Sequence, residues 1–412
     1  MSYSRRYSML GLLVVLTLLG KSNARAEDKN DNNGHIKKVF VIAMENHNWT
    51  QPANQFSGPI QQIFQNPNAP FINGLVNGTA VATINGRQIN ISQQTAYAAN
   101  YHNVLATASG DNPHIHPSEP NYLWAEAGTN FTIGNDADPF VPNGSTNQVN
   151  SQDNQLHLVR LLNYAGKTWR SYQEDIDLTT VNGQLTNVVL PRNQWTVPLA
   201  SFSGNFASGV NQFNGSTQFN YAAKHNPQVF FSDSNGGDDP TPANPLSQQY
   251  APVQQLLIDL ANNTVADYNW ITPDQYNDMH TSLTGGFLGV TGDAANIKQG
   301  DNFLSTVVPA IMASQAYKDN GAIIIWWDES EQDASGDNPD DLNHTVGEIV
   351  ISPRAHANEG GLPFASTVFL SHSSDLRTMQ EIFQVTKPFF VGDSIHANDL
   401  SSLFDDGAIP RH

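Results

Sequence analysis

Oxygen-bearing side chains stand directly after two of the most apolar segments of the chain. Glu45 and Asn46 follow the run VFVIAM, and Asp328 and Glu329 follow the run AIIIWW. Both runs are short and typical of buried strands. In an open α/β sheet ligands bind beyond the carboxyl ends of the strands, so the two pairs are expected close together. One such carboxylate would more simply cap a loop, but two pairs of oxygen ligands favour a site for a hard divalent cation.

A serine between two prolines supplies a candidate nucleophile. Ser118 lies in the segment HPSEPNYL, where Pro117 and Pro120 restrict the backbone on both sides. A helix that begins here would offer backbone N–H groups to a phosphate. A serine hydroxyl is a poor nucleophile until a bound metal lowers its pKa, which the predicted oxygen cluster would allow. Taken alone, the segment is equally compatible with a proline-rich turn capped by serine.

Five short motifs occur in an order that is found in one protein family. They read VIAMENH from Val41, HPSEPNYL from His116, KHNP from Lys224, ITP with NDMH from Ile271, and WDE from Trp327. The series resembles the phosphoesterase family of bacterial acid phosphatases, non-specific phospholipases C and fungal secreted acid phosphatases, a relative of the alkaline phosphatase superfamily. The resemblance runs from about residue 39 to 385. It implies an alkaline-phosphatase-like α/β fold, with a mainly parallel central sheet flanked by helices and long loops forming a cap over the site.

The resemblance also implies roles for individual residues. The implied ligands of a divalent metal ion are Glu45, Asn46, Ser118, Asp328 and Glu329. Ser118 would be the nucleophile that forms a phosphoserine, and His225 and His280 would bind phosphate and handle the proton. His116 would also face the phosphate, and Asp278 would orient His280 or the metal site. Which of His225 and His280 donates the proton stays open.

The chain departs from the family pattern at two places. Glu119 stands where an apolar residue is usual, and residues 274–276 read DQY instead of the usual NLC. No residue with an implied catalytic role is missing. The favoured function is therefore a metal-dependent phosphomonoesterase of the acid phosphatase type. A phospholipase C that hydrolyses the diesters of phospholipid head groups is the alternative, and a non-catalytic binding protein on the same fold is the third hypothesis.

Composition narrows the classes of partner. The 412-residue chain has a formal net charge of −19 and no cysteine, so disulfides and thiolate zinc sites are excluded. This strong negative charge disfavours binding to nucleic acid or to anionic lipid surfaces. A small phosphate ester is the expected partner, and a divalent cation would supply the local positive charge that it needs. The oligomeric state is not predicted.

The first residues are typical of an export signal. Arg5 and Arg6 precede an uncharged apolar run, and Ala24 and Ala26 offer a cleavage site. A twin-arginine signal and an ordinary secretory signal both fit. We expect residues 1–26 to be a signal peptide, residues 27–412 to form one catalytic domain with a charge of about −23, and the protein to be periplasmic or extracellular.

Hydrophobic periodicity predicts alternating strands and helices, which favours a parallel α/β sheet. The predicted strands are 37–44, 167–172, 229–231, 266–271, 322–327 and 348–351. The predicted helices are 154–164, 253–260, 301–316 and 376–385. Residues 131–153 and 173–215 are predicted to be long loops.

Overall fold

The computed structural model describes residues 34–50, 62–103, 117–139, 150–330, 345–358, 360–386 and 389–410. The predicted signal peptide and His116 lie outside the described residues. The extent of the catalytic domain therefore stays a prediction. None of the helices in the described ranges is long and apolar enough to cross a membrane.

Eighteen strands occur in the described ranges. They are β1 (Lys38–Met44), β2 (Asn48–Thr50), β3 (Val81–Ile84), β4 (Arg87–Asn90), β5 (Thr95–Ala98), β6 (Tyr101–His102), β7 (Trp169–Gln173), β8 (Leu178–Val181), β9 (Gln184–Val189), β10 (Phe202–Asn205), β11 (Gln218–Tyr221), β12 (Tyr250–Pro252), β13 (Tyr268–Thr272), β14 (Gly321–Trp327), β15 (Thr345–Val346), β16 (Glu348–Ile351), β17 (Phe364–Ser366) and β18 (Leu370–Ser371).

Eight strands form the central sheet, in the order β12-β7-β13-β1-β14-β16-β5-β17. The five strands from β12 to β14 run parallel to one another. β16 is antiparallel to both of its neighbours, and β17 is parallel to β5. The remaining strands form two-stranded pairs outside this sheet. The prediction of a mainly parallel α/β sheet is confirmed.

Eight α-helices occur in the part of the chain that the structure describes. They are α1 (Pro70–Asn77), α2 (Ser118–Ala127), α3 (Leu158–Tyr164), α4 (Ser232–Asn235), α5 (Val253–Asn262), α6 (Asp293–Ala313), α7 (Gln315–Lys318) and α8 (His372–Ile382). Pro309 lies inside α6 without ending it.

Burial explains why β1 and β14 occupy the middle of the sheet. All seven residues of β14 are buried, and so are six of the seven in β1. Runs that are apolar on both faces need cover on both faces, which is the arrangement of a central parallel strand. Because β7, β13, β1 and β14 are parallel neighbours, their carboxyl ends meet at one edge of the sheet. Polar residues follow each of these four ends, and this edge carries the candidate site.

Some predicted elements are wrong or have different bounds. Residues 227–230 form a 3-10 helix instead of a strand, because Pro227 suits a first helical turn. Residues 173–215 contain β8, β9 and β10 instead of one long loop. The β8–β9 pair lies outside the central sheet, and its polar sequence lacks the apolar run that identifies a buried strand. The helix predicted from 301 begins at Asp293, and the one predicted from 376 begins at His372.

Candidate active site

The end of β1 places two oxygen ligands at the edge of the sheet. Glu45 is fully buried, and its backbone N–H donates to the carbonyl oxygen of Asp278 at 2.8 Å. Asn46 has a φ of 37°, a left-handed conformation that asparagine tolerates better than most residues. Its backbone N–H donates to Oδ1 of Asp328 at 3.1 Å. The loops after β1 and β14 are therefore joined directly.

Ser118 is the first residue of α2 and is 1% exposed. Its Oγ lies 3.0 Å from Oε2 of Glu45, 3.3 Å from Oε1 of Glu329 and 3.5 Å from Oδ1 of Asn46. The hydroxyl has one proton, so it can donate to only one of these oxygens at a time. Three further oxygens within 3.5 Å of one hydroxyl give an oxygen-rich centre at the start of a helix.

Two residues of the same helix hold the carboxylates in place. The amide nitrogen of Asn121 donates to Oε2 of Glu329 at 3.1 Å. The hydroxyl of Tyr122 donates to Oε1 of Glu45. Burial and the nearby Glu45 raise the pKa of Tyr122 well above its usual value, so the phenol stays protonated and remains a donor.

His225 lies between two carboxylates. Its Nε2 is 3.2 Å from Oε1 of Glu45, and its Nδ1 is 3.2 Å from Oδ2 of Asp278. Within the described ranges neither ring nitrogen makes a hydrogen bond, although the residue is 1% exposed. Burial, and to a smaller extent Lys224 and His280, lower its pKa well below the usual value. The imidazole is therefore neutral, which is the form that binds a metal, and these contacts are not ion pairs.

The orphaned atoms of this cluster fit a bound cation. Oδ2 of Asp328 and Oδ2 of Asp278 are buried and accept no hydrogen bond in the described part of the chain. Ligand atoms of Glu45, His225 and Asp278 all lie within 4.8 Å of one another. Burial raises the pKa of Glu45, Asp278 and Asp328 well above the usual values, and repulsion from neighbouring carboxylates adds to this effect. A divalent cation would relieve both the repulsion and the missing contacts.

His280 stands at the edge of the cluster and is less buried than His225. The two ring centroids are 5.8 Å apart. Its backbone N–H donates to Oδ1 of Asp278 at 2.8 Å, and its Nδ1 pairs with Oγ1 of Thr281 at 2.9 Å. Burial, followed by the charge of Lys224, lowers its pKa to about 4. The ammonium group of Lys224 lies 2.9 Å from Asp136. Its positive charge lowers the pKa of both Glu45 and His280.

Two further histidines support the backbone of the ligand-bearing loops. Nδ1 of His47 lies 3.0 Å from the carbonyl oxygen of Glu45, and its Nε2 is 2.9 Å from Asp293 at the start of α6. Nε2 of His372 lies 2.5 Å from the carbonyl oxygen of Asp328. Both histidines are buried, so each fixes a carbonyl oxygen next to a candidate ligand.

The structure brings together eight of the nine residues that the sequence nominated, among them Asp278. The others are Glu45, Asn46, Ser118, His225, His280, Asp328 and Glu329, while His116 lies outside the described residues. Sequence reasoning missed Asn121 and Tyr122 as supports of the carboxylates, although both stand in the motif around Ser118. Helical spacing was the available signal, because residues three and four positions along a helix share its face. It also missed the insertion of His225 between Glu45 and Asp278.

Comparison with known proteins settles the family. A profile of the Phosphoesterase family matches residues 19–386. The chain belongs to the Phosphoesterase family. The predicted resemblance is confirmed, and membership classes the chain with hydrolases that act on phosphoric esters.

Two curated relatives are fungal. The chain is 29% identical over 173 residues to an acid phosphatase of Aspergillus fumigatus, a match that covers 42% of this chain and 29% of the relative. It is 28% identical over 169 residues to a probable acid phosphatase of Kluyveromyces lactis, which covers 40% of this chain and 30% of the relative. The matches therefore span less than a third of the length of these relatives.

Two solved structures show a low level of similarity to the chain. One comes from work on glycosaminoglycan metabolism by Bacteroides thetaiotaomicron, with a TM-score of 0.45, 10% identity and coverage of 92% of this chain and 83% of that one. The other is a protein of the alkaline phosphatase superfamily from Vibrio parahaemolyticus, with a TM-score of 0.43, 12% identity and coverage of 89% and 70%.

Proposed function

We propose that this Phosphoesterase family member is an exported, metal-dependent phosphomonoesterase of the acid phosphatase type that works through a phosphoserine on Ser118. The observation that carries the proposal is the placement of the Ser118 hydroxyl within 3.5 Å of oxygens from Glu45, Asn46 and Glu329. The likeness to fungal acid phosphatases supports the monoester assignment. Export rests on the sequence of residues 1–26 alone.

The residues proposed to hold the metal are Glu45, Asn46, Ser118, Asp328 and Glu329, with His225 and Asp278 completing the cluster. When bound, a divalent ion would lower the pKa of the Ser118 hydroxyl and neutralise charge on the phosphate. His225 has both nitrogens directed at carboxylates, so we assign it to the metal cluster and not to proton transfer. Of the two proton donors that the sequence leaves open, we therefore favour His280.

Ser118 Oγ, whose proton has been lost to solvent, attacks phosphorus in line, and the P–O bond to the leaving alcohol breaks. His280 donates the proton that the alcohol oxygen needs, because it is the more accessible of the two histidines at the cluster. Water then attacks the phosphoserine, with His280 accepting its proton, and the P–O bond to Ser118 breaks, which releases inorganic phosphate and regenerates the Ser118 alkoxide. Since the pKa of His280 is lowered to about 4 in the absence of substrate, its protonated fraction rises as the pH falls. Activity is therefore expected to be higher in acid than at neutral pH.

The test is hydrolysis of p-nitrophenyl phosphate across pH by wild type, chelated protein and Ser118→Ala. We expect chelation to abolish activity reversibly, and the variant to lose at least about a thousandfold in kcat, as removal of a nucleophile does elsewhere. Acid quenching should trap a phosphoenzyme in wild type only. Ser352→Ala is the matched control, because Ser352 is also buried and bonded, to the carbonyl oxygen of Gly321 at the opposite end of β14.

Three results would contradict the proposal. Full activity after metal removal would refute metal dependence, and a labelled phosphoenzyme in Ser118→Ala would refute the nucleophile. Hydrolysis of phosphatidylcholine without hydrolysis of monoesters would replace the phosphatase by a phospholipase C.

A further inference from the structure

A second group of carboxylates follows β13 and β7, which are one and two strands away from β1 in the central sheet. Glu174 and Asp175 directly follow β7, and Asp274 stands two residues after β13. One oxygen from each of these side chains lies within 4.8 Å of the others. The three residues are at most 2% exposed, so bulk water does not screen their charges.

The group lacks a compensating charge. In the described ranges no lysine or arginine forms an ion pair with any of the three carboxylates. Asp274 uses one oxygen to accept from the backbone N–H groups of Tyr276 and Asn277. Its other oxygen, Oδ2, is buried and accepts no hydrogen bond from an N–H or hydroxyl group of the described residues, although the carboxyls of Asp274 and Asp175 are close enough to hydrogen-bond to each other through a proton. Buried carboxylates in contact need either shared protons or a cation.

We propose that Glu174, Asp175 and Asp274 bind a calcium ion that is distinct from the metal at Ser118. The donors are all carboxylate oxygens, which are hard ligands. Calcium takes such oxygens at about 2.3–2.6 Å, so it can join atoms up to about 5 Å apart, and it accepts bidentate carboxylates. Magnesium keeps several waters when it binds, which a site with this little exposure does not favour.

The ion would secure the loop that carries Asp278 and His280. Both oxygens of Glu174 accept from the side-chain amide of Asn277, at 3.0 and 3.1 Å, and one accepts from the backbone N–H of Asp274 at 2.9 Å. Asn277 directly precedes Asp278. Calcium at this site would therefore act on the active-site loop by positioning it, without contact with the substrate.

The experiment is titration of chelated protein with terbium at pH 8, followed by displacement with calcium. Terbium has the ligand preferences of calcium, and Tyr276 lies next to the site as a sensitiser of its luminescence. The comparison covers the wild type and three variants, Asp274→Asn, Glu45→Gln and Asp301→Asn. Circular dichroism verifies that each protein is folded. Asp301 is a matched control, since it is a buried aspartate that accepts from two backbone N–H groups of α1, at 2.8 and 3.1 Å.

We expect the calcium-displaceable signal in wild type, Glu45→Gln and Asp301→Asn, and at least about a hundredfold weaker binding in Asp274→Asn. Loss of a direct ligand should cost no less than the 10–100-fold typical of outer-shell partners. Calcium should also raise the melting temperature of all variants except Asp274→Asn. Equal binding by Asp274→Asn would overturn the proposal, and so would complete loss of the signal in Glu45→Gln, which would place the ion at Ser118. No calcium uptake by wild type would mean that the carboxyls hold shared protons only. None of these outcomes depends on phosphatase activity.

Discussion

The hydroxyl of Tyr122 offers a sharp test of how the metal ligands are held. Tyr122→Phe removes one oxygen atom and leaves the ring, which stacks on His225 at 5.1 Å and packs edge-on against Trp270 and Trp326. The lost hydrogen bond to Glu45 is buried and involves a charged acceptor, so it contributes about 1.5–3 kcal/mol. That energy corresponds to roughly 10- to 150-fold in an equilibrium constant.

The change should appear as weaker metal binding, because Glu45 would keep its charge but lose its orientation. We expect the metal concentration for half-maximal activity to rise by about 10- to 100-fold, and saturating metal to restore most of kcat. The assay is p-nitrophenyl phosphate hydrolysis by chelated protein at buffered concentrations of free metal. Tyr250→Phe is the matched control, since its buried hydroxyl bonds, among the described residues, to the carbonyl oxygens of Gln228 and Ser234. The reasoning is refuted if Tyr122→Phe has the metal dependence of the wild type, or if excess metal leaves kcat low.

Three further predictions concern stability. His157 is buried against Glu126 and Asp233. Burial alone would lower its pKa, but the hydrogen bonds to Asp233 and Glu126 outweigh burial and raise the pKa. Its contribution to the free energy of unfolding is therefore present below about pH 6.5 and is lost as the pH rises through the folded-state pKa. Urea unfolding should show His157→Gln losing most stability near pH 5–6 and little in alkali, and a constant difference would contradict this. Burial raises the pKa of Glu119 to about 9, so the wild type loses stability as the pH rises from about 4.5 to 9. Glu119→Gln should flatten this loss. A variant with the pH profile of the wild type would contradict the prediction. Gly347→Ala places a Cβ 2.3 Å from the ring of Trp327, so overpacking should lower the free energy of unfolding by about 1–3 kcal/mol, and wild-type stability would show that the ring can move.

The sequence predicted the two elements on which the site depends. The apolar runs that form β1 and β14 are seven residues long and buried on both faces, which is typical of central strands. Glu45 and Asp328, which directly follow these two strands, then had to share an edge of the sheet. The strand predicted at 229–231 shows the limit of the same reasoning, because a short apolar run does not distinguish a strand from a turn of helix.

What the sequence could not supply is the relation between segments that lie far apart along the chain. His225 fits between Glu45 and Asp278 only because three separate loops converge there. The cluster of Glu174 with Asp274 likewise depends on β7 being the neighbour of β13, which no local pattern reveals. Family motifs identify residues with chemistry, whereas the contacts between those residues are a property of the strand order.

The strand order also has a consequence for how the protein is made. β1 is synthesised before its partners on the two sides, β13 and β14, so Val39 must wait for Tyr268 and Ala322. Pairings this distant slow folding, because a long loop must close before the contacts form. A nascent chain therefore exposes one of its most apolar strands until β13 and β14 have both been made. A chaperone that shields residues 38–44 would have to stay bound over that whole interval.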